Sequence, residues 1–477
     1  MIDVDNFLID RKKTIRDSLN IINANGYGVC FVVQDRKVLG ILTDGDIRRS
    51  ILTEHDLDER VEVVMNVDFV SLSVDSSDDL IRRSLSDTLR YIPLLDKDGN
   101  IVDVASAKSF RNIQISKPVL SGREAEYVYE CMISNWISSQ GPFVLRFEKL
   151  FQDHHPSTHA VSTSNGTTAL HLALVALGIG PGDEVIVPDL TFAATINAVI
   201  NAGATPVICE VDINSWCIDF AEAEKLITEK TKAIMPVHLY GQVSNMDSLE
   251  ALLSRHKLLV IEDCAESLGS TWNGIPAGTF GDAAAFSFFG NKTITTGEGG
   301  MALFKDPIVA ERARVLRDHG MSKNNRYWHE MVGFNYRLTN IQAAIGFGQM
   351  ENFDSIIGKK RMIASLYNKN LQTIGAIECL PRDVDGSSNT FWLYTVRLRA
   401  EYDAQEVISK LIDAGIGARP VFQPLHMMPP YEKYTKSSSL EISKGISRAG
   451  VSLPSSVDLN ENTIEFISNK LRNLLEL

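Results

Sequence analysis

The chain has 477 residues, 44% hydrophobic and 22% charged, with a net charge of -13. That length and composition fit two or three soluble globular domains, and the acidic balance excludes general nucleic-acid binding, which needs a basic surface. The N-terminal residues are acidic where a secretory leader is basic, and no apolar run approaches the ~20 residues of a membrane span, so a cytoplasmic protein with no membrane partner is expected. The six cysteines (Cys30, Cys131, Cys209, Cys217, Cys264 and Cys379) show no CxxC pair and no metal spacing. They read as buried reduced thiols, with no metal site.

Residues 1–113 read as a separate module. Thr14–Asn25 is predicted helical, Gly28–Val33 and Val38–Leu42 are strands, and Thr43-Asp-Gly-Asp46 opens a basic helix over Ile47–Leu52. The order returns as a helix from Asp78 to Thr88 and strands at Tyr91–Leu95 and Ile101–Ala105, an internal repeat of about 60 residues. Gly40-Ile-Leu-Thr43-Asp-Gly-Asp46-Ile-Arg-Arg49 resembles the signature of the cystathionine-β-synthase (CBS) domain, which in tandem pairs senses adenine nucleotides. The resemblance implies that Thr43 contacts a phosphate or ribose and Asp46 the ribose hydroxyls of a regulatory nucleotide. A hydroxyl, a carboxylate and a helix N-terminus at one strand end suit that ligand. In the second copy Ser106 and Ser109 stand at these positions, so the ribose-binding carboxylate is missing. Nucleotide sensing and a packing or dimerisation role both stay open.

After a short join the chain alternates α and β. Helices are expected at Arg123–Ser134 and Val144–Asp153. A strand from Ala160 runs into Ser164-Asn-Gly166-Thr167, which opens a helix over Thr168–Leu177. Free N–H groups and the dipole at such a helix start make an anion site, and the glycine allows close approach; an ordinary N-cap is the alternative. A strand ending at Pro188 leads to Asp189-Leu-Thr-Phe192 and a helix over Ile196–Ala202, and Lys232–Gln242 holds a strand ending in polar residues. The strand Leu258–Ile261 runs into Glu262-Asp263-Cys-Ala-Glu266. Carboxylates at the C-terminal end of a buried parallel strand lie where α/β proteins place ligands, although Asp263 also suits a helix N-cap.

The apolar run Ala283–Phe289 reads as a buried strand ending on Lys292, with a glycine cluster after it. A lysine there is costly unless used, because desolvation penalises its charged form and leaves a nucleophilic amine. Taken alone it reads equally as a surface lysine beside a Gly-rich turn. Taken together, a nucleophilic lysine, a carboxylate, a phosphate-type helix start and an aromatic are what pyridoxal 5'-phosphate needs.

The ordered stretches Trp136–Pro142, Asn165–His171, Asp189–Phe192, His238–Gly241, Glu262–Glu266, Ser287–Lys292 and Gly333–Ala344 resemble the DegT/StrS sugar-nucleotide aminotransferases, which include perosamine synthases. The resemblance covers about residues 115–477. It implies an α/β, type I pyridoxal-phosphate aminotransferase fold: a large domain (114–365) on a mostly parallel seven-stranded sheet and a small α+β C-terminal domain (366–477), behind a tandem CBS module (1–113). It also implies roles. Lys292 is the Schiff-base lysine and proton shuttle, Asp263 pairs with the pyridine nitrogen, Glu266 contacts the ring 3-hydroxyl and Phe192 stacks on the ring. Gly166, Thr167 and Ser287 hold the phosphate, and Asn335 reaches it from the other subunit of a homodimer. Tyr336 and Arg337 fall where the family contacts the sugar nucleotide, and the His426–Tyr431 loop resembles a substrate loop. For Arg337 a surface ion pair, and for His426 a structural role, remain the alternatives.

Asn352–Thr373 is predicted as a long helix, and the run Phe391–Leu398, a helix over Ala404–Ala414 and the stretch Ile416–His426 suggest the small α+β domain. The expected reaction moves an amino group from L-glutamate to a keto-sugar nucleotide, most closely an NDP-4-keto-6-deoxyhexose, for surface-polysaccharide amino sugars. A 3-keto-sugar aminotransferase, a dehydratase of the same fold and a nucleotide-sensing regulator on an inactive scaffold are the alternatives. The presence of Lys292 favours transamination.

Overall fold

The computed structural model describes residues 4–76, 78–86, 88–106, 113–384, 386–436 and 440–476. The chain divides into two compact units, Met1–Ile113 with Ile412–Ile416, and Gln114–Leu411 with Gly417–Leu477.

In the first unit the strand Leu8–Asp10 pairs parallel with Val29–Gln34, which pairs antiparallel with Lys37–Thr43. Leu72–Ser73, Tyr91–Leu95 and Ile101–Ser106 repeat this order and these directions. The helix Ile15–Asn25 begins at a capping box between Thr14 and Asp17 and ends on Gly26 at φ 67°. The helix Asp44–Leu52 begins at a second capping box, Thr43 with Asp46. Phe7, Phe31, Ile15 and Leu42 are wholly buried, so this small unit has a core of its own.

The second unit is built on a seven-stranded sheet in the order His159–Thr163, Gly300–Phe304, Ala283–Ser287, Leu259–Asp263, Thr231–Ile234, Glu184–Pro188 and Thr205–Cys209. Gly300–Phe304 pairs antiparallel with both neighbours; the remaining pairings are parallel. The strands are apolar without alternation because both faces are covered. Ala284 and Phe286 enter one core with Phe147, Phe151 and Phe288, whereas Ala283 and Ala285 enter another with Leu172, Ala173 and Ile261. A smaller sheet of Ile377–Cys379, Tyr394–Leu398, Gly450–Leu453 and Arg419–Pro420 lies in the C-terminal part, with the helices Ala404–Asp413, Glu441–Ala449 and Glu461–Leu475. The helix Phe353–Leu371 passes through the expected boundary at residue 365 without a break.

One sequence expectation is corrected. The strand before Lys292 ends at Ser287, not at the lysine. Phe288 and Thr296 turn the chain back through Phe288 N–H to Gly299 O and Thr296 N–H to Phe288 O, so Lys292 sits in a loop between antiparallel neighbours. Within that loop its own N–H donates to Phe289 O at 2.9 Å.

Candidate active site

The sheet's parallel strands deliver their C-terminal ends to one cavity of about 670 Å³. Gly166, Thr167, Phe192, Asp263, Glu266, Ser287, Lys292 and Tyr336 line it, so most of the residues singled out in the sequence meet there.

The helix Gly166–Ala176 opens on the cavity with Asn165 as N-cap, whose side chain accepts from Thr168 N–H at 2.9 Å. The N–H groups of Gly166 and Thr167 then have no acceptor within the helix. A Cβ on Gly166 would stand 2.7 Å from Ser287 Cβ, so only glycine lets this helix start meet the Ser287 strand end. Gly300 matters equally: a Cβ there would lie 2.4 Å from the Asn165 carbonyl oxygen. At least that glycine of the cluster after Lys292 serves close packing against the anion-type turn.

Glu262 and Asp263 are consecutive on one strand and therefore point to opposite sides of the sheet. Glu262 is wholly buried and accepts from His238 Nε2, Gly278 N–H, Phe280 N–H and Gly281 N–H, at 2.7–2.9 Å. Burial alone would raise its pKa, but the His238 hydrogen bond and the backbone N–H groups hold it below the usual value. The ligand atoms of His238, Glu262 and Cys264 lie within 4.8 Å of one another, yet Glu262 is spent on these four donors. Asp263 faces the cavity instead. Its Oδ2 accepts from Thr195 Oγ1 at 2.7 Å and its Oδ1 from Ala265 N–H at 3.1 Å. Burial raises its pKa, against the pull of Thr195, Ala265 and Lys292. Such a carboxylate gains most from a cationic N–H partner inside the cavity.

Lys292 Nζ stands 3.5 Å from Glu266 Oε1 and 3.9 Å from the centre of the Trp392 ring. Glu266 is buried, which raises its pKa, and its Oε2 accepts from Tyr240 N–H at 2.9 Å. Phe192 is exposed on the cavity wall, 5.8 Å between ring centres from Phe422.

Other residues stand apart from the cavity lining. His426 donates its N–H to Asp189 Oδ1 and pairs through Nδ1 with Asp189 Oδ2 at 2.7 Å, which anchors its loop to a strand end. Arg337 pairs with Asp318 at 2.6 Å and donates to Asn335 Oδ1 at 3.0 Å. In the first unit Asp46 Oδ2 accepts from the N–H and hydroxyl of Thr43, and its Oδ1 accepts from Arg49 at 2.5 Å. Thr43 as N-cap and Asp46 in the first turn thus form the capping box of the helix Asp44–Leu52. Ser106 is buried, and Ser109 lies outside the described residues.

Trp392, Thr195, Asn291, Arg419 and Phe422 complete the site and were not assigned to it from sequence. Trp392 comes from a run that reads only as part of the small α+β domain. Thr195 lies three residues beyond Phe192, in the first turn of the helix Ala194–Asn201.

The residues fit pyridoxal phosphate on three counts: an open helix start seated on Ser287, a buried carboxylate with two protein donors, and a lysine in the same cavity. Asn291 Oδ1, buried on the cavity lining, has no hydrogen-bond partner among the described residues. The sheet, its carboxyl-end cavity and this residue set define a pyridoxal-phosphate aminotransferase of the type I fold. Residues 118–472 match the DegT/DnrJ/EryC1/StrS aminotransferase family, and residues 3–53 match the CBS domain. The chain belongs to that aminotransferase family and is a sugar aminotransferase carrying a CBS domain at its N-terminal end. It is 47% identical over 365 residues to the GDP-perosamine synthase of Caulobacter vibrioides, covering 76% of this chain and 98% of that protein. Identity to the GDP-perosamine synthase of Escherichia coli O157:H7 is 44% over 360 residues, 75% and 97% of the two chains. Among solved structures, Spr1654 of Streptococcus pneumoniae in its PMP form aligns with a TM-score of 0.72 at 27% identity, covering 76% of this chain and 98% of that one.

Proposed function

We propose that the chain transfers the amino group of L-glutamate to C4 of a GDP-linked 4-keto-6-deoxyhexose, in the cytoplasm, as a step toward amino sugars of a surface polysaccharide. The observation that carries this reading is the meeting of Lys292, Asp263 and the Gly166 helix start in one cavity. The choice of GDP and of C4 follows the two perosamine synthases.

When bound, pyridoxal phosphate supplies an electron sink for the electrons released as a C–H bond beside nitrogen ionises. Lys292 would hold the cofactor through its Nζ, and the same amine would serve as base and then as acid for the substrate proton. Glu266 and the Trp392 face keep that amine within a small arc, at 3.5 and 3.9 Å. Asp263 would keep a proton on the pyridine nitrogen, and Thr195 fixes the carboxylate's orientation. The N–H groups of Gly166 and Thr167 and the Ser287 hydroxyl would hold the phosphate. Phe192 would cover the ring, and Glu266 would take its 3-hydroxyl. Tyr336, bonded through its hydroxyl to His171 Nδ1 at 3.0 Å, lines the route to the sugar.

The active unit in this reading is a homodimer in which Asn335 of the partner subunit reaches the phosphate. Exposed apolar side chains support it: Tyr129, Met132, Trp136, Ile137, Tyr327 and Val332 are each at least 48% exposed in the single chain. The N-terminal unit serves regulation or assembly; heat on titrating AMP or ATP is the measurement that separates the two. Arg337 acts through its ion pair with Asp318, and His426 through its hydrogen bonds to Asp189.

The test is a panel of keto-sugar nucleotides with glutamate, products read by mass spectrometry. Conversion of the GDP-4-keto sugar to the amino sugar, lost in Lys292→Ala, is expected. Turnover by Lys292→Ala at the native rate, or reaction of 3-keto sugars alone, refutes the reading.

A further inference from the structure

Lys360 is the least expected charge in the molecule. It lies on the helix Phe353–Leu371 within Lys359-Lys360-Arg361, which reads as a solvent face, yet it is 3% exposed. Its Nζ donates to the carbonyls of Trp392 at 2.8 Å and Ser455 at 2.7 Å. No carboxylate pairs with it among the described residues. Two carbonyls match the two N–H donors of a neutral amine, and burial pulls its pKa from 10.5 down to about 7. A buried polar group this costly calls for a use.

The residue it grips is the one beneath the reactive lysine. The Trp392 ring lies under Lys292 Nζ, and Trp392 Nε1 donates to the Asn291 carbonyl at 2.7 Å, one residue before Lys292. Ser116 Oγ donates to the same carbonyl at 3.2 Å. Lys292 and Lys360 also both line a second polar cavity of about 20 Å³, the volume of one water molecule. Lys292 is common to that cavity and to the large one.

We propose that Lys360 is a positioning residue for the transamination: by holding the Trp392 carbonyl it fixes the indole, and the indole fixes Lys292 through its face and through the Asn291 carbonyl. This rests on the assignment of Lys292 made above. A chain of packed groups with one defined arrangement is how a residue outside the substrate cavity governs an attacking atom, and misplacement by a fraction of an ångström is enough to slow the step.

The test uses the full-length chain. In cofactor-free protein, acetic anhydride labelling followed peptide by peptide reports how Lys292 is held before any chemistry. In the loaded enzyme, kcat and KM are measured. Lys360→Met removes both hydrogen bonds at similar volume, and should change Lys292 labelling by about threefold or more relative to the other lysines. It should lower kcat by about tenfold with KM within about twofold. Lys360→Arg, which keeps N–H donors, should restore most of both. In a Trp392→Leu background, Lys360→Met should add less than about twofold. Additive effects, or native labelling and kcat in Lys360→Met, overturn the proposal. Should Lys360→Met fail to fold, Trp392→Phe, which removes the indole N–H together with the pyrrole ring and keeps an aromatic face, decides: native labelling and kcat there overturn it as well. Retention of covalent cofactor by Lys292→Ala would remove the parent assignment and leave the labelling result standing by itself.

Discussion

Glu262 offers the sharpest prediction about how this site is held together. Glu262→Gln keeps size and shape but replaces one carboxylate oxygen with an NH2 group. Oε1 serves Phe280 and Gly281, and Oε2 serves His238 and Gly278, so whichever oxygen is replaced two donors face a donor. His238 cannot turn its proton away at no cost, since its Nδ1 already accepts from Ser244 N–H at 3.1 Å. Each buried donor left unsatisfied costs about 1–3 kcal/mol, so the loss should be about 2–6 kcal/mol. Urea unfolding of the full-length variant and native chains gives the difference directly. The sign of its pH dependence is also fixed. Because the folded pKa of Glu262 lies below the ordinary 4.5, its stabilisation is present above that value and disappears as pH falls through the folded one. The gap between native and Glu262→Gln should therefore shrink in acid. A loss under about 1 kcal/mol, or a gap that stays constant in acid, would show that this carboxylate does not organise the 278–281 loop. Cofactor uptake by the folded variant should be unchanged, because Glu262 points away from the Asp263 side of the strand.

Asp263→Asn keeps the Thr195 contact but cannot hold a proton on the pyridine nitrogen; kcat should fall by about a hundredfold or more with secondary structure intact by circular dichroism. A variant with native kcat would remove Asp263 from its role. For Lys360, the folded pKa of about 7 against an ordinary 10.5 means the unfolded chain binds the extra proton between those values. Native stability relative to Lys360→Met should rise between pH 7 and 10.5, by up to about 5 kcal/mol, and be flat below pH 7. A relative stability that does not change across this window would place Lys360 in contact with water.

Local chemistry made much of the site legible. Helix starts announce themselves through caps, as at Asn165 and Thr43, and parallel strands through unbroken apolar runs; both are encoded within a few residues. The sequence also supplied Lys292, Asp263 and Gly166, because nucleophile, carboxylate and anion turn each have a recognisable setting. Residue chemistry alone did not separate the adjacent carboxylates Glu262 and Asp263; the family resemblance picked Asp263, and the structure turns Asp263 toward the cavity and spends Glu262 on the other side of the strand. Nor did adjacency to a strand show that Lys292 lies in a returning loop, held in place by pairing with Gly299 and Thr296. Tertiary packing alone brought Trp392 to Lys292 and Lys360 to the Trp392 carbonyl, both from more than 60 residues downstream of Lys292. Spacing along the chain records hydrogen bonds between near neighbours. It does not record which distant carbonyl a buried amine will meet, and at this site that meeting sets the geometry.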